Sequence, residues 1–323
     1  MRVLVTGAAG FIGGNLMSQL HKQNIDAIGI DTFSEYYSTD MKRSRLKNLK
    51  FTKECIEVDV CDILSLKELF HTFMPTHVVH LAGQGGVRAS AIDPYPYIYL
   101  NQLGFMNALS MSEEFEVEKF IYASSSSVYG DNTHIPFTES QELGSPKSLY
   151  ALSKISNELI ARNLPLSKTQ RIGVRFFTVY GPWNRPDMLV FRILAKAILG
   201  DELELTTNLD YKRDFTFVDD VSRVLIEMIN QKSFVNESKI FNIAGSAPHT
   251  FRELFKIIEE IGVDFKIIQK EISDFDVKQT HASVEELKNN HFTIPDTNLE
   301  VGVEKTWEWI ISQDIKDLKN WLN

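Results

Sequence analysis

The sequence predicts an α/β protein: a doubly wound parallel sheet of the Rossmann type with a smaller α+β substrate lobe in its C-terminal part. Three observations predict it. Short apolar strand runs alternate with helix-like segments over the first half of the 323 residues, the pattern of repeated βαβ units. The first strand runs directly into a glycine-rich turn, Gly7-Ala-Ala-Gly10-Phe-Ile-Gly13. The alternation then changes character after Gly181-Pro182.

Taken in order, Arg2-Val-Leu-Val-Thr6 is an apolar strand, followed by a helix over about 11–23 and a second strand over 26–30 that closes on Asp31. Strand signals recur at 55–58, 77–81, 119–123 and 173–177, with helix-like segments at 64–73, 97–114 and 149–163. Beyond Pro182 the pattern predicts a helix over 189–199, a strand over 202–205, a strand at Phe215-Thr-Phe217, a helix over 219–229, a strand over 240–243 and an α+β tail. Residues 1–178 are therefore expected to form the nucleotide-binding domain, with 215–243 returning to it. Residues 179–214 and 244–323 are left for the substrate lobe.

Composition excludes several function classes. Thirty-four Lys and Arg against 43 Asp and Glu leave a net charge of −9, so there is no basic field for nucleic acid. An anionic ligand must be met by local cations. Two cysteines, Cys55 and Cys61, are too few for a disulfide framework and suit reduced thiols in the cytoplasm. No apolar run approaches the roughly 20 residues of a membrane span, and a first strand starting at Arg2 leaves no room for a signal peptide. Neither a membrane partner nor a metal site is expected.

The glycines Gly7, Gly10 and Gly13 suit a turn that lets backbone N–H groups and the helix N-terminus at Phe11 and Ile12 approach a pyrophosphate. The same turn can precede an ordinary helix, so the second signal matters: Asp31 ends the next strand, where a carboxylate binds ribose hydroxyls and repels a 2′-phosphate. This favours NAD over NADP. Asp59 and Val60, after the third strand, are placed to line the adenine pocket, and Leu81-Ala82-Gly83 offers another close backbone approach.

The chemistry is read from Tyr150-Ala-Leu-Ser-Lys154 and the serine run Ser124 to Ser127. A phenol, with a pKa near 10, is a poor base at neutral pH unless a cation favours its ionised form. Positions four apart share a helix face, so Lys154 is expected to supply that cation. A serine hydroxyl at the neighbouring strand end can hold the substrate oxygen whose proton Tyr150 takes. That combination performs alcohol-to-ketone chemistry.

These residues resemble the extended short-chain dehydrogenase/reductase family along nearly the whole chain, and within it the UDP-glucuronate 4-epimerases. The closer likeness rests on Asp31-Thr-Phe-Ser-Glu-Tyr-Tyr37, Gln84-Gly-Gly-Val-Arg88, Ser124-Ser-Ser-Ser-Val-Tyr-Gly130 and Arg175-Phe-Phe-Thr-Val-Tyr-Gly-Pro-Trp-Asn-Arg-Pro-Asp-Met188. Arg213-Asp-Phe-Thr-Phe-Val-Asp-Asp220 is a wider sugar-nucleotide motif. The resemblance implies Ser125 and Tyr150 around the reacting hydroxyl, Ser126 and Ser127 as supporting donors, and Lys154 on the nicotinamide ribose. Asn101 and Phe177 join the expected cofactor contacts. Thr178 and Arg185 would face a sugar carboxylate, Arg213 the diphosphate, and Arg88 and Asp276 would border the substrate. Taken singly, Arg88, Arg185 and Arg213 could each be a surface cation, Arg185 as a pair with Asp187 that merely shapes the loop.

Three segments depart from the family's pattern: Ser273-Asp-Phe-Asp276, Ser283 where an Asp is usual, and Asn208-Leu-Asp-Tyr-Lys212 before Arg213. They border the expected pocket, so another UDP-hexose or UDP-N-acetylhexosamine stays open as substrate. The related 4,6-dehydratases and uronate decarboxylases use an acid just after the serine or threonine of this motif. Here Ser126, Ser127 and Val128 follow Ser125, which favours epimerisation. A non-catalytic NAD-binding sensor would have little use for Ser125, Tyr150 and Lys154 together. The resemblance also implies a homodimer, paired through the helices near 97–114 and 149–163.

Overall fold

The computed structural model describes residues 1–165, 168–232, 238–245, 247–272 and 276–322. Its strands are β1 (Arg2–Thr6), β2 (Asp26–Asp31), β3 (Cys55–Glu57), β4 (His77–His80), β5 (Lys119–Ser125) and β6 (Gln170–Phe176). There follow β7 (Thr178–Tyr180), β8 (Glu202–Leu205), β9 (Lys212–Phe217), β10 (Ser238–Ile243), β11 (Pro248–Thr250) and β12 (Lys266–Gln269). The helices of the first half are α1 (Phe11–Lys22), α2 (Thr39–Leu49), α3 (Ile63–Phe73), α4 (Ala89–Ile92), α5 (Tyr95–Ile98), α6 (Phe105–Glu114) and α7 (Leu149–Asn163). The second half adds α8 (Leu189–Leu199), α9 (Val218–Asn230), α10 (Phe251–Glu260), α11 (Glu285–Asn289), α12 (Leu299–Ile311) and α13 (Ile315–Leu322).

A seven-stranded sheet in the order β10-β6-β5-β4-β1-β2-β3 forms the centre, and its strands all pair in parallel. Crossovers that place helices on both faces bury such strands on both sides. Val3 and Val5 of β1 join one apolar core with Leu16 and Leu20 of α1, while Leu4 faces the opposite core with Phe70 and Phe105. The chain winds outward in both directions from β1 and β4, so the crevice beyond their C-terminal ends is the switch point where open sheets bind ligands. Gly7 and the loop after His80 lie there.

Three differences from the sequence reading have physical causes. The helix expected over 97–114 is divided into α5, a π-helical stretch at Tyr99–Gly104 and α6. Inside the π turn, Asn101 grips the backbone of Gln84 through both its N–H and its carbonyl, a long-range contact that helical periodicity does not encode. Helix α2 was not anticipated because its face is polar. It is started by Ser38, whose hydroxyl accepts from the Met41 N–H at 3.4 Å.

The third concerns 215–243. Helix α9 lies against α1 and β10 extends the main sheet beside β6, but Phe215–Phe217 does not return there. It belongs to β9, in a separate three-stranded sheet ordered β11-β9-β7. The chain turns at Phe177, whose N–H donates to the Ile243 carbonyl, and Thr178 then pairs with Phe215 instead. Strands β8 and β12 form a further parallel pair. A second core collects here, with Trp183, Trp309 and Trp321 packed ring against ring.

Candidate active site

The glycine turn is built for close approach. Gly7 has φ +70°, and a Cβ on it would sit 2.7 Å from the Ala82 nitrogen, so β1 and the loop after β4 touch only because no side chain intervenes. Gly10 begins α1 with no side-chain cap, leaving the N–H groups of Phe11, Ile12 and Gly13 at the turn for an anionic group. Beside them Asp31 accepts the Ala9 N–H at 3.0 Å and the Phe33 N–H at 2.8 Å, with the Lys42 ammonium 3.9 Å away. Asp59 caps the Cys61 N–H at 2.8 Å and Val60 packs beneath Gly104. The Ala82 N–H is held by the Thr6 hydroxyl at 3.1 Å, next to Leu81 and Gly83. An uncapped helix N-terminus, a cradle that a Cβ would fill and a nearby carboxylate fit a dinucleotide. Asn101 and Phe177 are turned inward: Asn101 binds Gln84 and Ser153, and Phe177 packs beside Tyr129 and Phe137.

The proton-handling group assembles where β5 ends and α7 begins. Ser148 caps α7 by accepting the Ala151 N–H at 3.1 Å, fixing Tyr150 in the first turn. Ser125 lies near enough to the Tyr150 phenol to lower its pKa, and it accepts from the Ser127 hydroxyl at 3.0 Å and its N–H at 3.2 Å. Ser126 opens the 3₁₀ turn that carries them. Lys154, on the same face of α7, stands 6.0 Å from the Tyr150 ring centroid and donates to the Ala123 carbonyl at 2.9 Å.

The electrostatics add a second cation at the phenol, Arg185. Burial raises the Tyr150 pKa, and the groups that oppose it are Ser125 and Arg185. Lys154 keeps two further N–H donors beyond its bond to the Ala123 carbonyl. Burial brings Lys154 down to about 8 against the pull of Glu158. Glu158 in turn is clamped by Arg175 at 2.8 and 2.9 Å and accepts the Ser124 hydroxyl.

A cleft with about 690 Å³ of open space lies on the side of the second lobe and is lined by Arg88, Thr178, Asp187, Arg192, Arg213 and Asp276 among others. Arg213 pairs with Asp276, donates to the Lys212 carbonyl and lies over the Phe251 ring. Arg185 is fully forked onto Asp187, at 2.9 and 2.7 Å, and Tyr36 donates to the same carboxylate at 3.4 Å. Burial and Asp187 push Tyr36 up to about 12, so it stays a neutral donor. Arg185 nevertheless reaches the site. A Cβ on Gly85 would lie 2.3 Å from its Nη1, and its charge acts on Tyr150.

Arg192, Asp187 and Tyr36 were missed as site residues. A lone Arg in the apolar run of α8, Leu-Val-Phe-Arg-Ile-Leu, was the available signal for the first. Of the departures, Ser273 to Phe275 lie outside the described residues. Ser283 donates its N–H to the Phe137 carbonyl and its carbonyl accepts from Asn242. Asn208 to Lys212 form a turn tied by the Asn208 side chain.

Residues 3–244 match the model of the NAD dependent epimerase/dehydratase family. Protein CapI of Staphylococcus aureus is 40% identical over 284 residues, 80% of this chain and 83% of that protein. UDP-glucuronate 4-epimerase 2 of Arabidopsis thaliana is 36% identical over 278 residues, 80% of this chain but 63% of the plant protein. Among solved structures, a UDP-glucuronic acid 4-epimerase from Bacillus cereus, in complex with UDP-glucuronic acid and NAD, superposes with a TM-score of 0.87 at 28% identity. The likeness covers 96% of this chain and 99% of that one. With its glycine turn, its Ser125–Tyr150–Lys154 group and a sheet of matching topology, the chain belongs to the NAD dependent epimerase/dehydratase family, within the extended short-chain dehydrogenases/reductases.

Proposed function

We propose that this protein inverts C4 of a UDP-hexuronic acid, interconverting UDP-glucuronate and UDP-galacturonate with NAD as cofactor. The observation that carries the reading is Ser125 at the end of β5, next to the buried Tyr150 phenol whose pKa it lowers, together with a cleft that gathers Arg88, Arg192 and Arg213 in a chain of net charge −9. Those local cations suit a sugar diphosphate. NAD, when bound, supplies reversible uptake of the C4 hydride.

The chain's own residues do the rest. The glycine turn and Asp31 hold the dinucleotide, and Lys154 fixes its nicotinamide ribose. Ser125 and Tyr150 bracket the C4 oxygen: Tyr150 takes its proton, then returns it after the 4-keto sugar has presented its other face. Ser126 and Ser127 support that oxygen, and no carboxylate follows Ser125 to drive a dehydration. A 4-keto uronate is a β-keto acid, which loses carbon dioxide when the breaking bond aligns with the carbonyl π system. Thr178 and the Nη1 side of Arg185, whose Nε and Nη2 are held by Asp187, keep the carboxylate out of that alignment, while Arg213, beside Asp276, receives the diphosphate. The second lobe is the sugar-binding part, and the enzyme works as a homodimer in the cytoplasm.

Purified protein given UDP-glucuronate is expected to form UDP-galacturonate, resolved by chromatography and mass spectrometry, and to favour it over UDP-glucose. A preference for UDP-glucose would overturn the uronate assignment. A guanidinium fork binds a carboxylate in a way that a hydroxymethyl cannot match, so Arg185→Ala should erode the preference and release a UDP-pentose. Unchanged preference with no pentose would remove Arg185 from this role.

A further inference from the structure

Arg45, on α2, is fully buried and has no part in the mechanism above. Its Nη1 donates to the Ala9 carbonyl, inside the glycine turn, and to the Tyr37 hydroxyl at 3.0 Å; its Nη2 donates to the Trp183 carbonyl at 2.9 Å. These partners are two carbonyls and a phenol, all neutral. A guanidinium held in the interior by neutral groups is costly to desolvate and has no ion pair to offset that cost. Stability alone does not explain its place.

Two independent features are shaped around it. A Cβ on Gly14 would lie 2.6 Å from Arg45 Cδ, so α1 carries a glycine, a poor helix former, where the stem passes. Trp183 has φ +64°, a strained conformation for a bulky residue, and it is the Trp183 carbonyl that Arg45 holds. Trp183 begins the turn that delivers Arg185 and Asp187, and the Arg185 N–H is fixed by Asn184 at 2.8 Å. One side chain thus joins the two loops on which the cofactor and the sugar depend.

We propose that Arg45 is a positioning residue that couples the dinucleotide turn to the 181–188 loop, so that the placement of Arg185 depends on the state of the glycine turn. The sugar-selectivity arm of its test rests on the uronate reading above, whereas the exchange arm does not. In hydrogen-exchange mass spectrometry, added NAD is expected to slow the amides of 181–188 in the wild-type protein. In Arg45→Met the same peptide should exchange about tenfold faster with NAD present, with the peptide spanning α7 unchanged. The variant should also retain several-fold less NAD through purification and show a reduced ratio of kcat/KM for UDP-glucuronate over UDP-glucose, with Arg45→Lys intermediate.

Gly14→Ala guards against a folding artefact. It favours the helix yet presses on the Arg45 stem, so it should lower NAD retention and 181–188 protection without lowering the Tm of the cofactor-free protein. Adding Arg45→Met should then cause little further loss. Arg45→Met that loses NAD while 181–188 stays protected and selectivity is unchanged would overturn the coupling, as would wild-type behaviour of both variants. If the wild-type protein prefers UDP-glucose while NAD still protects 181–188 through Arg45, the uronate reading fails and the coupling stands.

Discussion

In the proposed mechanism Tyr150 gives up its proton near neutral pH although burial raises its pKa, a rise that Ser125 and Arg185 oppose. Tyr150→Phe keeps the ring, which packs edge-on to Tyr97 at 6.2 Å, and removes the hydroxyl. Turnover is expected to fall by at least about 100-fold, the usual scale for a positioned acid-base group, with Tm little changed. Near-normal turnover would remove Tyr150 from its role. Lys154 offers a test with the opposite sign for stability. Its pKa falls from 10.5 in water to about 8 in the fold, which corresponds to about 3 kcal/mol against the buried ammonium. Below pH 8 both states hold the proton and the penalty acts in full. Between pH 8 and 10.5 the unfolded chain holds more protons than the folded one, so stability rises with pH there. Lys154→Met should abolish turnover yet stabilise the cofactor-free protein at pH 7. The gain is about 2 kcal/mol once about 1 kcal/mol is deducted for the lost bond to Ala123. Denaturation at pH 7 and at pH 9.5 should show the gain narrowing at the higher pH; a less stable variant at pH 7 would refute this. That Tyr150 and Lys154 share a helix face was legible from their spacing. That Arg185 also acts on the phenol was not, because it reaches Tyr150 from a loop distant in sequence.

Helix α7 presents Tyr150, Lys154 and Glu158 along one face, and Glu158 binds it to two strands. Arg175 of β6 forks onto the carboxylate and Ser124 of β5, next to Ser125, donates to it. Arg175 also donates to Tyr129 at 2.9 Å, which passes the contact to Asn242 of β10 at 2.7 Å. Removing one partner of a buried pair leaves an uncompensated charge, so Glu158→Ala should cost roughly 3–5 kcal/mol in chemical denaturation. Glu158→Leu combined with Arg175→Met should cost much less, since no charge is stranded. Equal losses in the single and double variants would show that packing, not charge, dominates. At this scale the first half of the chain was readable, because apolar runs of strand length and helix length differ in period. The π turn at Tyr99–Gly104 and the polar helix α2 were not, since one answers to the Gln84 backbone and the other to a cap at Ser38.

At the scale of the molecule, one group of exposed apolar side chains lies on neighbouring helices. Ile92 and Tyr95 are 86% and 81% exposed. Ile98, Tyr99 and Leu103 continue the surface, and Leu152 and Leu159 of α7 are also exposed. Such a patch on a folded chain marks an interaction face, and a second copy of the same helices would cover it. Light scattering at micromolar concentration should give twice the chain mass, and Leu159→Glu with Ile98→Glu should give the monomer. A wild-type monomer would refute the dimer. The parallel sheet, the nucleotide turn and the Tyr150–Lys154 face follow from the sequence alone, because each rests on local spacing: glycines that admit a tight turn, alternation that sets strand and helix, a four-residue step along a helix. Where Phe215–Phe217 pairs, that Arg213 meets Asp276 and that Arg45 bridges Ala9 and Trp183 were decided only in three dimensions, as was the choice of the Asp187 pairing between the two readings open for Arg185. Long cationic side chains can reach many partners, and the one each finds is set by which segments the topology brings together.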